Sequence, residues 1–197
     1  MDTNFLAIDL ELNTNQESSS SERKIIQVGI AIGNISQKQN EYYTEKWYIN
    51  PHEPIYPFIT TLTGITDDDV INKSTSHQQI ADDISDLIDN YNCYVNPVTW
   101  GGGDVDELKK EFSDRHVNFR KFGRREIDVK TLNTFLMLSQ NKATSSSLKS
   151  AMGKFKMQFV GEAHRADVDA SNTLALFFGL MRRQAKIESF IENVRLV

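Results

Sequence analysis

The chain has 197 residues, 39% apolar and 25% charged, which suits one soluble domain with a sizeable core, or a domain with an appendage. A single cysteine, Cys93, excludes an internal disulfide and any cysteine-based zinc cluster, and fits a reducing compartment. The net charge of −5, from 22 basic and 27 acidic residues, argues against a protein that holds long duplexes by electrostatics alone, but does not exclude one that grips a few nucleotides and brings divalent cations. No apolar run reaches the length of a membrane span, and the N-terminus lacks the basic flank and apolar segment of a signal peptide. The expectation is a cytoplasmic protein with no membrane partner.

In chain order, Phe5 to Leu12 (FLAIDLEL) is an apolar run of strand length with two acids set into its far end. Alternation along a strand sends Asp9 and Glu11 to one face and Ile8, Leu10 and Leu12 to the other. Asn13 to Glu22 is polar, with a serine run, and reads as a loop. Lys24 to Ile32 is a second, buried strand, and the aromatic stretch Glu41 to Ile49 a third that completes an antiparallel meander. Pro51, Pro54 and Pro57 predict an irregular segment beyond it. Thr66 ahead of Asp67, Asp68 and Asp69 reads as a helix cap with acids in the first turn, where the helix dipole favours them.

Ile80, Ile84, Leu87, Ile88 and Tyr91 recur at helical spacing. Pro97 limits Tyr94 to Trp100 to a short strand. Gly101-Gly102-Gly103-Asp104 then leads into a helix through Val105, Leu108 and Phe112. Arg115 to Arg125 is basic, with Phe119 and Phe122 interspersed; it suits a phosphate-contacting loop or simply a solvated one. A further helix starts at Ile127-Asp128, with Asp128 as its N-cap, and a short one opens at Ser145 to Ser147. After Gly161 comes Glu162 to Asp169, then a helix from Ala170 whose stripe Leu174, Phe177 and Met181 packs into the core. Residues 184–197 read as a short helical tail, appended to a domain at 1–183, that docks a partner, a second copy or its own domain. Three strands followed by alternating helices and short strands predict an α/β domain on one mixed central sheet flanked by helices.

Two carboxylates on one face of an apolar strand repel each other and resist desolvation unless a cation neutralises them. Taken alone, Asp9 and Glu11 describe an edge strand ending in water, Asp104 a helix cap, and His164 a structural loop histidine. With Asp169 the four acids make an oxygen donor set of the kind Mg²⁺ takes, and two such ions about 3.5–4 Å apart can clamp an in-line phosphodiester hydrolysis. His164 is a candidate proton acceptor, an imidazole being the side chain suited to that role.

These residues and their order resemble the DEDDh-type 3′-to-5′ exonucleases, a ribonuclease H-like family that includes RNase T and polymerase proofreading subunits. Asp9-Leu10-Glu11 matches the first motif, Asp104 with Leu108 the second, and His164-x-Ala166-x-x-Asp169-Ala170 the third. Trp100-Gly101 ahead of Asp104 is similar to the Trp-Gly-x-x-Asp variant of the histone-mRNA and small-RNA trimming branch. Leu62 to Thr66 (LTGIT) and Ile26 to Gly29 (IQVG) resemble the family's connecting stretches, so the similarity runs from Phe5 to about Arg182. It implies a ribonuclease H-like three-layer fold and hydrolysis of a single-stranded nucleic-acid 3′ end to nucleoside 5′-monophosphates. It further implies two Mg²⁺ or Mn²⁺ ions on Asp9, Glu11, Asp104 and Asp169, with His164 as general base.

The same resemblance places Leu10, Leu12 and Asn13 beside the terminal nucleotide. Family members often carry Thr-Thr-Gly or Ala-Thr-Gly after the Glu, and here Leu12-Asn13-Thr14 stands instead, so the seating of the 3′ end departs from the pattern. Asp106 and Asp167 are neighbouring acids; Asp104 and Asp169 are preferred because Leu108 and Ala170 keep the motif register. The rival readings are an endonuclease on the same fold, disfavoured by the third motif, and a non-catalytic or polymerase-associated module that kept the scaffold.

Overall fold

The stretch Phe5–Asn13 forms β1, the central strand of a five-stranded sheet ordered β3-β2-β1-β4-β5. The structure, a computed structural model, describes residues 3–15, 23–117, 119, 122–144 and 147–195, with 193–195 described by backbone alone. Most of the serine-rich loop, at 16–22, lies outside the described residues, as do Asn118, Arg120 and Lys121 of the basic stretch and Ser145 and Ser146 ahead of the short helix.

β2 (Lys24–Gly33) and β3 (Tyr43–Tyr48) follow β1 in an antiparallel meander, while β4 (Val98–Thr99) and β5 (Ile127–Asp128) run parallel to β1 on its other side. The sheet is therefore mixed, as the element order predicts. Its even-numbered face carries Leu6, Ile8 and Leu10 with Val28, Ile30 and Ile32, packed under α3 (His77–Asn90) and α4 (Asp104–Asp114) through Ile80, Ile84, Leu108 and Phe112. The other face carries smaller side chains, Ala7, Gly29 and Ala31. Over it lie α5 (Val129–Ser139), α6 (Leu148–Lys154) and α7 (Ala166–Arg195), whose Leu174 and Phe178 are fully buried. This is an α/β three-layer arrangement.

Three elements differ from the sequence expectation. Pro57 begins a helix, α1 (Pro57–Thr63), instead of prolonging an irregular segment, because a proline at the first helical position lacks only an N–H that would have no intrahelical partner. Thr66 then caps α2 (Asp67–Asn72) in a reciprocal box with Asp69. Ile127-Asp128 forms a fifth strand before Asp128 caps α5, accepting from the Lys130 and Thr131 N–H groups. Finally, α7 starts at Ala166 rather than Ala170 and runs unbroken for 30 residues, so the 183/184 boundary falls in mid-helix. No glycine or proline follows Gly179, and Arg182 to Lys186 are helix formers that propagate the last turns. Burial is what changes: Leu180 is in the core and residues 183–192 are exposed.

Candidate active site

Asp9 and Glu11 project from the β1 face opposite Leu10, and the start of α7 brings Asp169 against them. Two residues of β2 fix that approach. Gly29, the register partner of Asp9, lies so close to α7 that an added Cβ would sit 2.1 Å from the backbone of Ala166 and Asp167. Gln27, the partner of Glu11, is fully buried, and its side-chain oxygen accepts the Ala166 N–H at 2.9 Å. A β-carbon at position 29 would push the helix off the strand, and without the Gln27 carbonyl a buried helix-end N–H would lose its acceptor. Sequence reading noted Ile26 to Gly29 only as a connecting stretch; the bare glycine in a strand was its available signal.

Carboxylate oxygens of Asp9, Glu11 and Asp169 lie within 4.8 Å of one another. His164 adopts a left-handed conformation, φ 63°, and its backbone N–H donates to the Asp169 carboxylate at 2.9 Å, which orients that group on the first turn of α7. Asp104 opens α4 after Gly103, whose φ of 119° only glycine adopts without strain, and its charge reaches both Asp9 and Glu11. Asp9 feels Asp104, Asp169 and Glu11 together, which places it at the middle of the group.

The electrostatic consequence is severe. Burial, reinforced by the neighbouring carboxylates, pushes Glu11 up to about 8 and Asp9 well above the carboxylate range. Asp104 rises to about 7, through burial and then the charges of Glu126, Glu107 and Asp128. Asp169 rises by burial, opposed by the His164 N–H. Glu126, which sequence reading did not single out, accepts weakly from the Gly103 N–H at 3.4 Å and adds its charge behind Asp104. An all-oxygen, partly buried donor set whose charges repel is one that hard divalent cations fit.

A pocket of about 480 Å³ opens over the acids. Asp9, Glu11 and Asp169 lie at its acidic end, Leu10, Trp100, Leu148 and Phe159 supply apolar wall, and Lys149 and His164 are among its polar lining. Leu148, Lys149 and Phe159 carry no sequence motif and are brought here only by the packing of α6 and the turn after it. Of the residues expected beside a terminal nucleotide, Leu10 lines this pocket, whereas Leu12 packs half-buried against the core under α3 and α4. The Asn13 expectation needs correcting. Its side chain is fully buried, donates to Glu53 and the Pro54 carbonyl at 3.1 Å each, and accepts the Tyr56 N–H at 3.0 Å. It pins the turn ahead of α1 and has no donor left for a ligand. Asp167 pairs with Lys46 and Arg165 outside the carboxylate group, and Asp106 is exposed on α4.

The RNase T exonuclease family model matches residues 6–177. The chain belongs to that family. No curated relative matches it by sequence. Among solved structures, it is similar to the nuclease domain of 3′hExo, a DEDDh family member, bound to rAMP, with a TM-score of 0.78, 18% identity and coverage of 92% of this chain and 93% of that one. Cell-death related nuclease 4 matches with a TM-score of 0.79 and 13% identity, over 92% of this chain and 64% of that one. E. coli exonuclease I in complex with a dT13 oligonucleotide matches with a TM-score of 0.69 and 15% identity, over 95% of this chain and 43% of that one. At these identities the structural likeness speaks for a shared fold, that of the DEDDh exonuclease domains, and the protein is accordingly an exonuclease-family domain with acids clustered for metal binding. No helix among the described residues is long and apolar enough to cross a membrane.

Proposed function

We propose that this protein is a 3′-to-5′ exonuclease that releases nucleoside 5′-monophosphates from the 3′ end of single-stranded nucleic acid. The observation that carries the proposal is the convergence of Asp9, Glu11 and Asp169 within 4.8 Å, buried enough that their charges are costly without a cation. Asp9, Glu11 and Asp169 would hold one Mg²⁺ or Mn²⁺ ion, and Asp9 with Asp104 a second. Such ions supply positive charge against the carboxylates and against the charge that develops on the phosphate oxygens.

The chain's own residues do the rest. The apolar walls, Leu10, Trp100, Leu148 and Phe159, would enclose a terminal base, and Lys149 on the same lining would face the phosphate. His164, on the same lining, takes the proton of the attacking water at its imidazole. Water adds to the terminal phosphorus as the bond to the preceding nucleotide's 3′ oxygen breaks, and that oxygen leaves with a proton from solvent. The left-handed turn at His164 ties its backbone to Asp169, so the base and the carboxylate are set by one short segment. The presence of rAMP on the 3′hExo domain and of dT13 on exonuclease I supports a nucleotide end as the ligand of this pocket.

The test is a product-resolved gel of 5′-labelled RNA and DNA single strands, each with a free or a blocked 3′ end, in Mg²⁺ and in Mn²⁺. A labelled ladder shortening from the free 3′ end is expected, with unlabelled nucleoside 5′-monophosphates released and identified by chromatography. Cleavage of the blocked strands, or none by wild-type protein in either metal, would overturn the reading.

A further inference from the structure

The chain's charge is unevenly spread. Residues 129–161 and 170–187 contain no aspartate or glutamate, in a protein whose net charge is −5. Those two stretches supply α6, the turn after it and the middle of α7, and they meet in a second groove of about 600 Å³. Arg182, Arg183 and Lys186 line it together with Phe155, Ile187 and Phe190, and no acid does among the described residues. The Arg183 guanidinium lies over the Phe155 ring, 5.8 Å from its centre, while Phe190 is 69% exposed. Cations alternating with aromatic faces are what a single strand of nucleic acid binds without regard to sequence: the cations meet phosphates and the rings stack on bases.

The groove and the acidic pocket draw on the same two segments, the turn after α6 and the helix α7. Phe159 lines the pocket, and Met157 and Phe155, two and four residues earlier, line the groove. On the other side α7 carries Asp169 at one end and Lys186 seventeen residues on, about 25 Å along the axis at 1.5 Å per residue. That distance is about seven nucleotides of a stacked strand at roughly 3.4 Å each. We infer that the Phe155–Arg183–Lys186–Phe190 groove is a second subsite, which holds the upstream part of the single strand whose 3′ end occupies the carboxylate pocket. The inference rests on the exonuclease reading. The exposed half of α7 is thereby assigned to substrate, in place of a protein partner or a second copy.

The test compares wild type with the Arg183→Gln, Lys186→Gln double variant and with Phe190→Ser, all at exposed positions. Binding of a 5′-fluorescein 15-mer and trinucleotide is followed by anisotropy in EDTA across a salt series, and hydrolysis of both in Mg²⁺. For the double variant, 15-mer affinity should fall about tenfold, and the log–log salt slope should become shallower by about 1.4, the value for two lost phosphate contacts on a single strand. Phe190→Ser should weaken the 15-mer severalfold with the salt slope unchanged. The trinucleotide, too short to leave the pocket, should be hydrolysed at the wild-type rate by both. Unchanged 15-mer affinity and slope would overturn the inference, as would equal losses on both lengths. So would a wild-type dimer, seen by sedimentation, that the variants dissociate without loss of oligonucleotide affinity. If wild-type protein hydrolyses neither length, the exonuclease reading fails by itself, and the binding comparison in EDTA still decides the groove.

Discussion

Glu11→Gln should stabilise the metal-free protein while destroying its activity. Glu11 is 8% exposed, and its carboxyl is raised from 4.5 to about 8, first by burial and then by Asp169 and Asp104. The sign follows from proton counts. Between about pH 4.5 and 8 the folded state keeps the Glu11 proton that the unfolded chain releases, so stability falls as pH rises through that window. At about 1.36 kcal/mol per unit, ionising Glu11 costs the folded state on the order of 4 kcal/mol by pH 8. Glutamine keeps the shape and carries no charge to desolvate. Allowing half of that cost to survive relaxation, the variant should gain about 2 kcal/mol, or roughly 4–8 °C in Tm for a chain of this size. The assay is thermal melting in EDTA at pH 8 and pH 4.5. The gain should shrink to a few tenths of a kcal/mol at the lower pH, where the folded carboxyl is protonated and the unfolded one is still half protonated. Saturating Mg²⁺ at pH 8 should raise wild type more than the variant. A variant that melts at or below wild type in EDTA at pH 8, or gains equally at both pH values, would refute the account of a pocket strained by its own charge.

Asp169→Asn should lower turnover on single-stranded oligonucleotides about 10³-fold or more with circular dichroism unchanged. His164→Asn, which tolerates the left-handed backbone, should cost about 10²–10⁴-fold in kcat yet leave calorimetric Mn²⁺ binding intact. Gly29→Ala drives a Cβ into the backbone of Ala166 and Asp167, so urea unfolding should show a loss of about 3 kcal/mol and activity should fall with it. Gln27→Met preserves volume but strands the Ala166 N–H; the expected cost is about 1–3 kcal/mol by denaturant titration, with kcat reduced because Asp169 loses its fixed approach.

The sheet and its helices were legible because β1 and β2 are apolar runs of strand length bounded by polar residues, because α3 carries helical spacing, and because Thr66 and Asp128 announce their caps chemically. The two-residue strand Ile127–Asp128 was not legible: a strand that short has no period, and its existence depends on β4 lying beside it. Nor was the early start of α7 at Ala166, because it is set by a contact with Gln27 nearly 140 residues away, not by a local cap. Asp9, Glu11, Asp104, His164 and Asp169 stand out in the sequence only through their resemblance to the family's motifs, and the fold brings Asp9, Glu11 and Asp169 within 4.8 Å of one another. Asn13 misled because its place after the acidic motif suggested a ligand contact. The bulge between Glu11 and Leu12 sets the end of β1 against the turn before α1, and Glu53, Pro54 and Tyr56 take every polar group the side chain has.

The two halves of this surface make sense together. A pocket lined by Asp9, Glu11 and Asp169, and reached by the charge of Asp104, would repel phosphates until cations are bound, so the pocket alone is a poor place to capture a polyanion. Capture is better done where no carboxylate opposes it, and the acid-free stretches that flank the site, 129–161 and 170–187, provide such ground on α6 and α7. Because α7 carries Asp169 at its start and Arg183 and Lys186 further along, one rigid helix fixes the distance between grip and chemistry. On the proposed reading, separating the functions in this way would let a protein of net charge −5 hold a nucleic-acid strand, since it is the local field along the strand's path, and not the total, that the phosphates meet.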